Sequence, residues 1–182
     1  TGRILGAQAI GKGNADKRID VIATMITMNG TIEDLKELEL TYSPMFSTAK
    51  DVVNMAALVA TNILENRFKQ VHVDEVRSIV ESDAYVLDVR EVGEFANGHI
   101  KNAVNIPLSE LRERMNEIPK NRTIYVHCRS AQRSYNAVMA LLHCGYENVY
   151  NVSGSFLGIC LYEYFNDITK NREPIVTQYN FK

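Results

Sequence analysis

The residues best equipped to do chemistry lie together in one octet, His127-Cys128-Arg129-Ser130-Ala131-Gln132-Arg133-Ser134. An apolar β-type run, Thr123-Ile124-Tyr125-Val126, leads into it, and a helical pattern ending at Cys144 leads out. A cysteine at such a junction faces loop amides and the positive end of a helix, both of which favour negative charge. Its thiol pKa is lowered, and the thiolate is the nucleophilic form. Arg129 and Arg133 bracket the loop with positive field, and Ser130 and Ser134 offer hydroxyl donors. Small Ala131 lets backbone N–H groups converge into an anion-cradling nest, with Gln132 completing the turn. Cys144 and Cys160 fit instead the pattern of inert buried thiols on apolar helix faces. His127 is adjacent to the cysteine, but neighbours at a strand end point to opposite faces, so it is badly placed as a base.

The elements that must hold this loop alternate between strand and helix. Residues 71–73 predict a short strand, with Asp74 capping a helix to about Val80. Residues 85–89, 103–106 and 149–152 read as further strands, and 109–118 and 155–165 as helices. Short apolar strands alternating with helices predict an α/β fold, a mostly parallel sheet covered on both faces. In such sheets the ligand crevice lies at the carboxyl ends of the strands, where Cys128 sits. Asp88, Arg90 and Glu94 read as buried structural groups, joining an arginine to a carboxylate around the Gly98-His99 turn.

Before residue 65 the pattern changes. Residues 3–11 read as a strand ending in a Gly-Lys-Gly-Asn turn. Gly6 to Lys12 imitates a phosphate-binding loop, but Gly13 stands where a magnesium-binding Ser or Thr is required. Asp16 starts a helix whose Ile19, Ile22, Ala23 and Ile26 share a face, with Gly30 as its C-terminal cap. Thr31 with Asp34 forms a capping-box pattern. After the Pro44 break, a helix over about 49–65 carries Val52, Met55, Ala56, Val59 and Ile63 as an apolar stripe, read as core. Residues 66–70 are polar and aperiodic, which predicts a linker.

The totals agree with a globular chain. In 182 residues, 46% are apolar and the formal net charge is −2, which argues against nucleic-acid and anionic-membrane binding. No apolar run approaches the ~18 residues of a membrane span. Three cysteines make no disulfide framework, and a reducing cytoplasm fits them. Nothing in the spacing predicts a metal site.

Two resemblances follow from these motifs. Asp88-Val89-Arg90-Glu91, Glu94-Phe95, Gly98-His99-Ile100, Ala103, Asn105-Ile106-Pro107 and the loop 128–134 are together similar to a rhodanese-like domain, over residues 71–170. The resemblance implies a sulfurtransferase. Cys128 would carry sulfane sulfur as a persulfide in a cradle of residues 129–133. The donor would be thiosulfate, a persulfide or a polysulfide, and the acceptor a thiol or cyanide. A phosphatase-like loop is the competitor, but it has five residues between cysteine and arginine. Here there are four, a ring suited to sulfur. A non-catalytic binding or regulatory module on the same fold is the alternative from another class. The family often has glycine at the Ala131 position and Gly-Gly at Gly154-Ser155; the latter difference is expected to leave the nucleophile untouched.

Ile4-Leu5-Gly6-Ala7-Gln8, Asp16-Lys17-Arg18-Ile19-Asp20, Tyr42-Ser43-Pro44 and Ala49-Lys50-Asp51-Val52-Val53-Asn54 resemble the C-terminal interface domain of pyridine-nucleotide disulfide reductases. The coenzyme A-disulfide reductase and NADH oxidase group is the nearest. Residues 1–65 cover part of that α+β domain, and 171–182 would be a tail. No G-x-G-x-x-G fingerprint is present, so this chain implies no cofactor of its own; FAD, NAD(P)H and coenzyme A are implied only for a longer parent. The resemblance implies a homodimer. It also places Tyr42 where a family tyrosine approaches the partner subunit's thiol chemistry, although packing against Pro44 explains Tyr42 as well.

Overall fold

The computed structural model describes residues 1–181, and the chain divides into two compact units between Arg67 and Phe68. The first contains α1 (Ala15–Thr27), α2 (Ile32–Glu37) and α3 (Val52–Leu64). Thr31 and Asp34 form the expected reciprocal box at α2, and Asp51 with Asn54 forms another at α3. The α1 exit is a Schellman turn, in which Asn29, not Gly30, takes the left-handed conformation at φ 56°. The Gly30 N–H completes it on the Met25 carbonyl at 2.7 Å.

Two expectations fail in this unit. Residues 3–11 form no strand: only Arg3 bridges to Thr31, and Leu5 and Ile10 are exposed. The α3 stripe is not core, because Val52, Met55, Val59 and Ile63 are exposed and the helix buries Val53, Asn54 and Ala57 instead. A helix apolar on nearly every side gives periodicity little to choose between. Asn54 settles the orientation, because its side-chain amide reaches the Leu35 and Leu38 carbonyls.

The second unit is a five-stranded sheet in which every pair is parallel, β1 (Lys69–Val71), β2 (Tyr85–Asp88), β3 (Val104–Asn105), β4 (Ile124–His127) and β5 (Val149–Val152). Their order across the sheet is β1-β5-β4-β2-β3. Helices α4 (Val73–Glu81), α5 (Val92–Ala96), α6 (Gln132–His143) and α7 (Ser155–Lys170) connect and cover them. Alternating strand residues feed two cores. Leu87 and Val126 pack with Ala137, Val138 and Leu141 of α6 on one face. Val86 and Val152 pack with Val76 of α4 and Phe156 and Ile159 of α7 on the other.

The departures here are local. The expected linker holds β1, and Phe68 is buried edge-on to Tyr135 at 5.1 Å; one aromatic among polar residues concealed a strand entry. The α4 N-cap is His72, with Asp74 in the first turn. Residues 109–118 make successive i→i+3 turns and a 3₁₀ turn, Met115–Glu117, rather than an α-helix. Short α5 has no sequence stripe long enough to announce it. The C-terminal segment is no loose tail: Ile175 and Val176 are buried in the second core, and Val176 bridges to Ile100.

The topology fixes the site. From β2 the chain crosses to β3, away from β4, and from β4 it crosses to β5, away from β2. The loops leaving β2 and β4 therefore diverge and leave a crevice between them. Asp88 pairs with His127 in the register, so both strands end level and both loops open at the same edge.

Candidate active site

Cys128 is the first residue beyond β4, and the loop after it turns into α6 through Ala131 at φ 76°. That left-handed turn swings the first N–H groups of α6 back toward the sulfur. Four donors surround it: the Ser134 N–H and hydroxyl, the Ser130 N–H and the Ser155 hydroxyl. Burial, the strongest single influence, opposes ionisation, since Cys128 is only 1% exposed. Hydrogen bonds from these donors act against it, and the thiol is held below its ordinary pKa. The site thus stabilises an anion on sulfur largely through amide and hydroxyl donors.

The second helix to converge is α7. Its first-turn N–H groups at Phe156 and Leu157 donate to the Cys128 and Arg129 carbonyls at 3.0 and 3.1 Å, so the loop backbone is tied to a helix end. Ser155 accepts from the Cys128 N–H at 3.2 Å, and its Oγ lies 3.9 Å from Sγ and 3.4 Å from the Ser134 hydroxyl. Its single proton is shared between the Val152 carbonyl, 3.2 Å away, and the sulfur.

The third contribution comes from beyond β2. Glu94 on α5 pairs with both terminal nitrogens of Arg133, at 2.6 and 2.8 Å. Arg133 holds the Glu94 carboxyl below the usual range, against partial burial, so it is an anion at neutral pH. Arg133 also reaches the Cys128 sulfur. Arg129 has no ion-pair partner among the described residues. Beneath the crevice, buried Asp88 grips Arg90 through Nε at 3.0 Å and Nη2 at 2.6 Å, and Arg90 ties down the Gly98 carbonyl at 2.8 Å. This is the expected bracing of the Gly98-His99 turn.

Residues 72–161 match the rhodanese-like domain family. A sulfurtransferase of Allochromatium vinosum is 39% identical over 75 residues, which is 41% of this chain and 70% of that protein. The chain belongs to the rhodanese-like family. Among solved structures, reduced Bacillus anthracis CoADR-RHD superposes with a TM-score of 0.74 at 47% identity, over 78% of this chain and 25% of that one. The NAD-dependent persulfide reductase from A. fulgidus gives 0.71 at 38% identity, over 80% and 26%. Each likeness covers more of the chain than the rhodanese-like unit contains, so it extends into the first unit. This chain spans about a quarter of either of those proteins.

Within the rhodanese-like unit the loop residues divide by role. Ser130 contributes its amide while its side chain is exposed, and Gln132 is exposed on the rim. His127 lies on the opposite face of the sheet, fully buried near the Phe156 ring, with its Nε2 3.6 Å from Asp88 and without a hydrogen bond. Burial lowers its pKa against the pull of Asp88, so it stays neutral and is no base for Cys128. Cys160 is buried as expected, and burial raises its thiol pKa. Cys144 is exposed, contrary to expectation, because it caps the end of α6 rather than facing the core. In the first unit Tyr42 is exposed, and its side chain has no hydrogen bond among the described residues.

Sequence reasoning missed Ser155 and misread Glu94. The Gly154-Ser155 pair does touch the nucleophile, contrary to expectation: Gly154 at φ 75° turns the chain so that Ser155 meets Cys128. The signal available was a Gly-Ser pair opening a helix after a strand, the same punctuation that marks the cysteine loop. For Glu94 the capping pattern with Glu91 was visible, but a pairing with Arg133 across 39 residues was not.

Proposed function

We propose that this chain is a sulfurtransferase that carries sulfane sulfur as a persulfide on Cys128. The observation supporting this is the enclosure of one sulfur atom by the Ser130 and Ser134 amides and the Ser134 and Ser155 hydroxyls. In the first half-reaction the thiolate attacks the outer sulfur of a donor such as thiosulfate. The donor S–S bond breaks, sulfite leaves with the bonding pair, and Cys128 holds S–S⁻. In the second, cyanide or a thiolate attacks that terminal sulfur and Cys128 leaves as thiolate, which divides one exchange into two easier steps. The same four donors serve both anions. The Glu94 carboxylate offsets the positive charge of Arg133 that a phosphoryl dianion would call on, which favours sulfur over phosphate chemistry.

The likeness to CoADR-RHD and to a persulfide reductase supports a larger role. In that reading, residues 1–67 belong to the interface domain of a flavin- and NAD(P)H-dependent reductase, and the loop supplies it with sulfur or coenzyme A persulfide in the cytoplasm. The exposed Val52, Met55, Val59 and Ile63 face of α3 supports a homodimer, and Tyr42 is carried as an interface residue. Thiosulfate:cyanide turnover tests the catalytic reading. The chain should form thiocyanate and Cys128→Ser should not; equal rates would refute it.

A further inference from the structure

We infer that Glu94 is a specificity-determining residue, a fixed negative charge that turns the Cys128 loop against dianionic sulfur donors and toward donors carrying one charge or none. The inference rests on the sulfurtransferase reading and specifies its substrate class. Arginine serves oxyanions through its fork of N–H donors. In this loop both terminal nitrogens of Arg133 are already bonded to the Glu94 carboxylate. The pair is only about one-third exposed on either side, so water screens it incompletely. What remains around Cys128 is a set of neutral amide and hydroxyl donors and the one guanidinium that reaches the sulfur, Arg133, whose charge the Glu94 carboxylate offsets. That environment balances one negative charge on sulfur. A sulfonate bearing a second charge meets Glu94 beyond Arg133, and an arginine whose positive charge is already offset.

The fold brings the two together, because Glu94 on α5 and Arg133 on α6 sit just beyond the two loops that diverge at the crevice. The carboxylate is not needed to form the local turn. An amide at the same place would also accept the Glu91 N–H that closes the α5 cap, at 3.2 Å, and would still accept one N–H from Arg133. The charge is what a glutamine would lack.

Two donors that deliver the same sulfur separate charge from chemistry. Thiosulfate gives Cys–S⁻ + S–SO₃²⁻ → Cys–S–S⁻ + SO₃²⁻. Methanethiosulfonate gives Cys–S⁻ + S–SO₂CH₃⁻ → Cys–S–S⁻ + CH₃SO₂⁻, with one charge less on donor and leaving group. With cyanide as acceptor, the quantity to read is the ratio of kcat/KM for thiosulfate to that for methanethiosulfonate. Glu94→Gln should raise this ratio about fivefold to tenfold, the scale of one incompletely screened charge at this range. Glu94→Asp, which keeps the charge, should leave it within about twofold of the parent. The unaltered chain, which needs no variant to fold, should favour methanethiosulfonate. A ratio unmoved by Glu94→Gln, even if both rates fall, overturns the charge filter and leaves Glu94 as a support for Arg133. So does a parent chain that prefers thiosulfate. If neither donor places sulfur on Cys128, the sulfurtransferase reading itself fails.

Discussion

Cys128 is held between two opposing influences, burial that resists ionisation and a ring of donors that rewards it, with the net effect a lowered thiol pKa. Ser155 approaches the sulfur and also accepts the Cys128 N–H, so removing its hydroxyl weakens the cradle at two points. Ser155→Ala should move the thiolate midpoint upward and slow sulfur loading at neutral pH about tenfold, the worth of one hydrogen bond to a charged group. Iodoacetamide alkylation against pH reads it directly, because the rate rises as thiolate forms. The sign for stability is the same. A depressed folded pKa stabilises the fold above the ordinary thiol range, and that stabilisation is lost as pH falls through the lowered value. Ala131 carries a separate cost. A non-glycine residue at φ 76° is strained, and Ala131→Gly should stabilise the second unit by about 1 kcal/mol in urea titration, net of glycine's extra freedom when unfolded.

Among the elements, the turn after α5 shows how tightly the crevice is braced. Gly98 has φ 117°, and a Cβ there would stand 2.5 Å from the Gln178 carbonyl oxygen. Gly98→Ala should therefore destabilise the second unit by more than about 2 kcal/mol in urea titration, through strain at both ends of that contact. The Asp88–Arg90 pair anchors the same turn. Much of this layer was legible in advance. Residues 149–152 form β5 as read, the strand-to-helix passage at Cys128 is in place, and the Thr31 cap behaves as its sequence implies. What was illegible was decided by tertiary partners. Residues 109–118 have helical spacing but close i→i+3 turns after Pro107. The α3 stripe lost to the face that lets Asn54 reach the α2 carbonyls. Ser155 and Glu94 gain their roles from residues 27 and 39 positions away, distances at which no local pattern operates.

At the scale of the whole molecule, one chain joins a rhodanese-like unit to a helical unit with a small core, Ile4, Leu35, Val53 and Ala57. The first unit leaves a broad apolar surface exposed, which suits a segment evolved to be covered. Sizing the chain in solution should give a dimer; a monomer would remove the support that the α3 face lends to the interface reading. The central claim is narrower and does not depend on the assembly: of three thiols, Cys128 alone is built to hold sulfur as an anion. Cys160 is buried with its pKa raised, and Cys144 is an exposed helix end. The most direct test is peptide mass spectrometry of the intact chain after brief treatment with a sulfane donor, with no reductant present. The account predicts a gain of about 32 Da, one sulfur atom, confined to the peptide containing Cys128 and discharged by cyanide. An unmodified Cys128 peptide, or the same gain spread evenly over Cys144 and Cys160, would contradict it.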